Sequence, residues 1–140
     1  MGLSRRLARR KALQLLYQID LTQSSPDEAW SRSDAKEGLT ASAQEFAYTL
    51  VTGVRQYIQE IDKLIAGFAK DWSIERMSYV DRNILRLAVY ELKYLPDIPA
   101  KVAVNEAVEL AKDFSDLQAS KFINGVLGTV VDYLGRNPDE

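Results

Sequence analysis

The side chains with the clearest capacity for chemistry are cations gathered in the first 20 residues. There Arg5, Arg6, Arg9, Arg10 and Lys11 stand against a single acid, Asp20. At about 100° per residue on a helix, Ala8, Ala12, Leu15, Leu16 and Ile19 share one apolar arc. Arg6, Arg10, Leu13 and Tyr17 fall on a separate strip, and Arg9 lies between the two. Guanidinium groups crowded at a helix start repel one another and oppose the positive end of the helix dipole, at roughly a few tenths of a kcal/mol each. A phosphate chain reverses that sign, because arginine forks and the unpaired N–H groups of the first turn all donate to anionic oxygen. Tyr17 could stack on a base or pack against a protein. The competing reading is a solvated basic end with Tyr17 covered by a neighbouring helix. The whole chain carries a net charge of −2, so the positive charge is local and the rest of the molecule is acidic.

Other chemistries are scarce. The sequence has no cysteine and no histidine, which removes thiol nucleophiles, imidazole bases, disulfides and the usual zinc and haem ligands. Glu106, Glu109 and Asp113 follow one another along a helical pattern with Lys112 among them, and they read as a solvated face. The Glu-x-x-His pairs of di-iron bundles cannot be made without histidine. Asn124-Gly125-Val126-Leu127-Gly128 lacks the glycine spacing and the Lys-Ser/Thr of a phosphate loop. Gly125 costs helix stability there, so a neighbouring helix is expected to approach it closely. No catalytic residue, metal or cofactor is expected.

The elements that must position these residues are helical throughout. The chain has 140 residues, 46% hydrophobic and 27% charged, which suits one compact domain with a real core. The apolar stripe from Ser4 to Ile19 predicts a first helix. Ser25-Pro26-Asp27-Glu28 reads as a capping box opening a short helix around Trp30, with Gly38 after it. A second box, Ser42 to Glu45, opens a pattern running to Phe68, long enough that a break is expected near Gln59–Ile61. Asp71–Ser78 is a connector containing Trp72. Tyr79–Leu95 is apolar on most sides and predicts a central buried helix, and Pro96 and Pro99 then bracket a turn. Two further stripes run through Val104–Phe114 and Phe122–Leu134. The expectation is an all-α fold of six to seven helices in a single domain over residues 1–140, with a basic segment at 4–11 and a flexible tail at 135–140. No apolar run approaches membrane-spanning length, so no membrane association is expected. The arginine-rich start also suits a mitochondrial presequence, but it runs unbroken into a striped helix, and a cytoplasmic location is expected.

The order of these residues resembles the NusB-type transcription antitermination factors. Arg5-Arg6-x-Ala8-Arg9 with Ala12-Leu13-Gln14-x-Leu16-Tyr17 carries the first part of the likeness. Val80-Asp81-Arg82-x-Ile84-Leu85-Arg86-Leu87-Ala88-x-Tyr90-Glu91-Leu92, the run Asp97 to Lys112, and Lys121-Phe122-Ile123-Asn124-Gly125-Val126-Leu127 carry the rest. The resemblance implies two packed helical subdomains and a non-enzymatic role. That role is binding single-stranded boxA-type RNA of ribosomal RNA operons together with NusE, a small-subunit ribosomal protein, within the transcription elongation complex. It assigns Arg5, Arg6 and Arg9 to an RNA-contacting end, which the neighbouring Arg10 would extend, and Lys121 and Phe122 to a second RNA patch. Tyr17 and Asp81 fall at positions facing NusE, and Leu13 beside Tyr17 would suit either NusE or a second copy in a homodimer. Two alternatives keep the fold: an RNA-binding module of ribosomal RNA processing, and a purely protein-binding module. NusB-like domains also precede a ribosomal RNA cytosine methyltransferase domain, but these 140 residues hold no cofactor-binding segment, so that enzyme is not expected.

Overall fold

The computed structural model describes residues 2–70 and 72–140. They form seven α-helices, with no strand among the described residues: α1 (Gly2–Thr22), α2 (Pro26–Arg32), α3 (Ala41–Gln56), α4 (Ile58–Phe68), α5 (Tyr79–Tyr94), α6 (Ala100–Phe114) and α7 (Leu117–Tyr133). A 3-10 turn at Ile74–Arg76 interrupts the connector before α5. The chain divides into two compact units, one ending at Gln56 and the other beginning at Tyr57.

In the first unit α1 packs on α2 and α3. Small residues let the helices approach: Ala8, Leu39, Ala43 and Ala47 form a core cluster, with Trp30 and Phe46 against it. The serine half of the expected box at α2 is present. Ser25 Oγ accepts the Glu28 N–H at 3.1 Å and meets the Glu28 carboxylate at 3.1 Å, with Pro26 in the first turn. Tyr48 then fastens α2 to α3. Its hydroxyl donates to the Asp27 carboxylate at 2.6 Å, and its ring meets Trp30 edge-on at 5.3 Å. The second box is not at Ser42. Thr40, one of two nearby hydroxyl residues, caps α3 by accepting the Ala43 N–H at 3.2 Å. The break in the long pattern comes at Tyr57, earlier than expected, where φ −106° and ψ 23° interrupt the helical ladder.

In the second unit α5 is the axle. Every residue from Asn83 to Leu92 is buried, and α4, α6 and α7 pack around it. The apolar pattern concealed a polar seam inside this helix. Arg86 donates from Nε and Nη2 to the two oxygens of Asp62 on α4 at 2.8 and 2.9 Å, and from Nη1 to Asn83 Oδ1 at 3.2 Å. Asn83 in turn donates to the Tyr79 carbonyl at 2.7 Å. After α7, Gly135 turns the chain at φ +69°, and the Arg136 guanidinium donates to the Leu92 and Ile98 carbonyls at 2.6 and 2.5 Å. Gly125 corrects the sequence reading: a Cβ built there meets nothing within 4 Å, so no neighbouring helix approaches it.

Candidate nucleic-acid interface

Two surfaces gather the residues singled out from sequence, one in each unit. On the first, α1 brings its arginines to one end, and Phe46 of α3 organises them. The Arg5 guanidinium lies 4.7 Å from the centre of the Phe46 ring and that of Arg9 lies 5.3 Å from it. A cation over an aromatic face gains about 0.5–1 kcal/mol, which offsets part of the repulsion between neighbouring guanidinium groups. Arg5 and Arg6 are exposed and Arg10 is half-exposed. Arg9 is only 3% exposed, so its ring contact and packing take most of its surface.

Leu13 departs from the sequence reading. The wheel set it beside Tyr17 off the core face, yet it is 3% exposed and part of the core. The physical reason is the width of the buried arc. Leu13 sits only about 60° from Leu16 on the wheel. Arg9, Leu13 and Asp20 are all buried next to that stripe, so more than one line of α1 is covered. Tyr17, at 39%, is exposed as expected. Leu3, Leu7 and Leu21 are exposed on that side too, and sequence reasoning passed over them because they carry no charge or hydrogen-bonding group.

The second surface is a cavity of about 300 Å³ among the 3-10 turn, the start of α5 and the start of α7. Its lining includes Trp72, Arg76, Ser78, Asp81, Gln118 and Phe122. It therefore brings Asp81 and Phe122 together, and Lys121 stands exposed next to Phe122 on α7. Two hydroxyl and carboxylate caps set its walls. Ser78 Oγ accepts the Asp81 N–H at 3.0 Å to start α5, and Asp116 Oδ1 accepts the Ala119 N–H at 2.7 Å to start α7. Asp81 Oδ1 is buried and has no hydrogen-bond partner among the described residues. Trp72, 52% exposed, and Arg76 were missed as site residues, because a connector without periodicity gives no face to assign.

The remaining carboxylates do not converge. Glu109 pairs with Lys112 on the surface of α6 at 3.5 Å, and no group of three acids able to hold a metal ion occurs among the described residues. No helix of the described chain is long and apolar enough to cross a membrane.

By class, then, this is an all-α protein presenting a braced basic helix end and an aromatic-walled cavity with an unsatisfied acceptor. The model of the NusB family matches residues 6–132, and the chain belongs to that family. It is 48% identical to the transcription antitermination protein NusB of Pelotomaculum thermopropionicum, over 93% of this chain and 90% of that protein. It is 44% identical to the same-named protein of Myxococcus xanthus, over 95% of this chain and 98% of that one. Among solved structures it is similar to a chain in the crystal structure of antitermination factors NusB and NusE in complex with dsRNA. The TM-score is 0.87 at 35% identity, covering 95% of this chain and 99% of that chain. The solution structure of NusB from Aquifex aeolicus gives a TM-score of 0.75 at 35% identity, over 92% and 88% of the two chains.

Proposed function

We propose that this chain is an RNA-binding adaptor of transcription antitermination, holding boxA-type RNA of ribosomal RNA operons and joining NusE in the cytoplasm. The observation that carries the reading is the end of α1, where Arg5 and Arg9 are braced on Phe46 and exposed Arg6 and half-exposed Arg10 stand beside them. Four arginines held on one helix end gain from phosphate what they lose to each other. The likeness to a NusB chain solved with NusE and RNA supports the same role here. Lys121 and Phe122 add a second RNA-facing patch. Tyr17 and its exposed neighbour Leu21 supply the apolar surface that suits NusE, in place of buried Leu13. The role is one of binding rather than catalysis.

Salt dependence tests this directly. With about four phosphates of a single strand neutralised, log K against log[salt] should slope near −3. The double variant Arg5→Ala, Arg6→Ala should flatten that slope by about 1.4, measured by fluorescence anisotropy with single-stranded and duplex RNA side by side. A slope unchanged by the double variant would place RNA elsewhere. A purely protein-binding module would associate with NusE with no effect of RNA on that affinity.

A further inference from the structure

We infer that the cleft between α1 and the end of α2 is a phosphate subsite for the RNA strand, formed by Lys11 and Arg32, with Asp34 as the anion that the phosphate displaces. The inference rests on the RNA-binding reading above and extends it to residues which that reading leaves without a role. Lys11 follows the arginines in sequence but turns toward α2 instead of joining them. Its ammonium lies 3.9 Å from the Asp34 carboxylate, beyond hydrogen-bond distance, and 20% of its side chain is exposed. It lines a cleft of about 310 Å³, with Gln14 and Gln18 of α1 on the same wall and Arg32 and Ser33 on the facing one.

The cleft is rich in donors that the fold leaves unused. Arg32 approaches Glu28 only to 3.6 Å, and the side-chain amides of Gln14 and Gln18 make no hydrogen bond to another described residue. Ser33 differs, because its hydroxyl donates to the Trp30 carbonyl at 2.8 Å and so shapes the wall. An ammonium, a guanidinium and two amides offer more N–H groups than one carboxylate can accept. A phosphate carries its oxygens in a tetrahedral spread and accepts from both helices at once. Asp34 is a weak competitor for Lys11, since its side chain is 71% exposed and exposed ion pairs contribute little.

RNA is the phosphate source within reach. On the helix wheel Arg10 lies between Arg6 and Lys11, so the cleft continues the basic surface around α1. Lys11 stands about 9 Å along the axis from Arg5, which about three phosphates of one strand span.

The test uses the full chain and a 12-nucleotide oligouridine, because phosphate contacts do not depend on sequence. Anisotropy at several salt concentrations should show binding weakened about tenfold by Lys11→Gln with Arg32→Gln, and a slope flattened by about 0.7, the share of one phosphate. Asp34→Asn should act in the opposite sense and tighten binding about threefold. Lys63→Gln with Lys101→Gln removes the same charge from exposed positions of the second unit and should change affinity by less than about twofold. Arg32 is 72% exposed, so Arg32→Gln alone keeps the fold and should still lose about threefold. In an amide NMR spectrum the side-chain signals of Gln14 and Gln18 should shift with the oligonucleotide. Inorganic pyrophosphate should match those shifts only at about a hundredfold higher concentration, because it lacks the rest of the strand.

A double variant that binds like the native protein, or an Asp34→Asn that weakens binding, would overturn the inference while leaving the arginine end as the RNA site. Pyrophosphate binding as tight as the oligonucleotide would assign the cleft to a free phosphate compound and overturn it too. So would a double variant that loses NusE and keeps its RNA affinity, since the cleft would then belong to a protein partner. Absence of any salt-dependent RNA binding would remove the adaptor reading itself, and the subsite with it.

Discussion

Two aspartates of the second unit, Asp62 and Asp81, meet helix α5 in opposite conditions. Asp62 receives two parallel N–H bonds from Arg86, which is itself held by Asn83. Asp81, one turn and a half earlier on the same helix, has an oxygen shut away from water with no partner among the described residues. Burial of a carboxylate is costly in both places, because water is lost. In the α4–α5 seam the structure returns donors, so the charge locks two helices together. At the start of α5 no donor among the described residues reaches that oxygen, and the residue as a whole is only half-buried. A buried charge whose donors are in place locks two helices together, whereas a half-buried carboxylate at a helix start contributes mainly through the helix dipole.

Removing the seam should have the largest effect. Arg86→Ala leaves Asp62 facing the seam without its partner, and unfolding in urea should show a loss of about 3 kcal/mol, the lower end for breaking a buried pair because Asp62 is partly exposed. Ser78→Ala comes next. It removes the cap of α5 on the cavity wall and should cost about 1 kcal/mol in the same measurement. Asp81→Asn should change stability least, within about 0.5 kcal/mol. What is lost there is one carboxylate near the positive end of the α5 dipole, at a half-buried position. If Asp81→Asn proved as destabilising as Arg86→Ala, the contrast between the two aspartates would collapse and Asp81 would belong to the scaffold.

The stripes of apolar residues foretold the helices closely, because each buries one face and the 3.6-residue period records that face in order. Ends were harder. Thr40 and Ser42 both offer a hydroxyl, and only the packed path of the chain decides that Thr40 takes the Ala43 N–H. The arginines of α1 were legible from charge alone. Leu13 was not, because a wheel with one buried stripe does not show how wide an arc the neighbours cover. Phe46 lies within the apolar pattern that follows Ser42–Glu45, and its place beneath Arg5 and Arg9 depends on α3 packing on α1. Arg86 and Asp62 lie 24 residues apart, and nothing local links them. Trp72 and the state of Asp81 are likewise products of tertiary structure.

The ring of Phe46 makes the basic end of α1 a property of the folded unit and not of the helix alone. A peptide copying α1 would carry the same charges, but its guanidinium groups would sample many rotamers and lose that freedom on capture. In the protein Phe46 collects part of that entropy loss during folding. The same linkage runs backwards: a polyanion that engages the braced arginines binds the native state in preference to the unfolded one and so raises its stability by RT ln(1 + [L]/Kd). RNA would thus act on this chain as a folding ligand, and a loss of packing around Phe46 would be felt first as a loss of affinity.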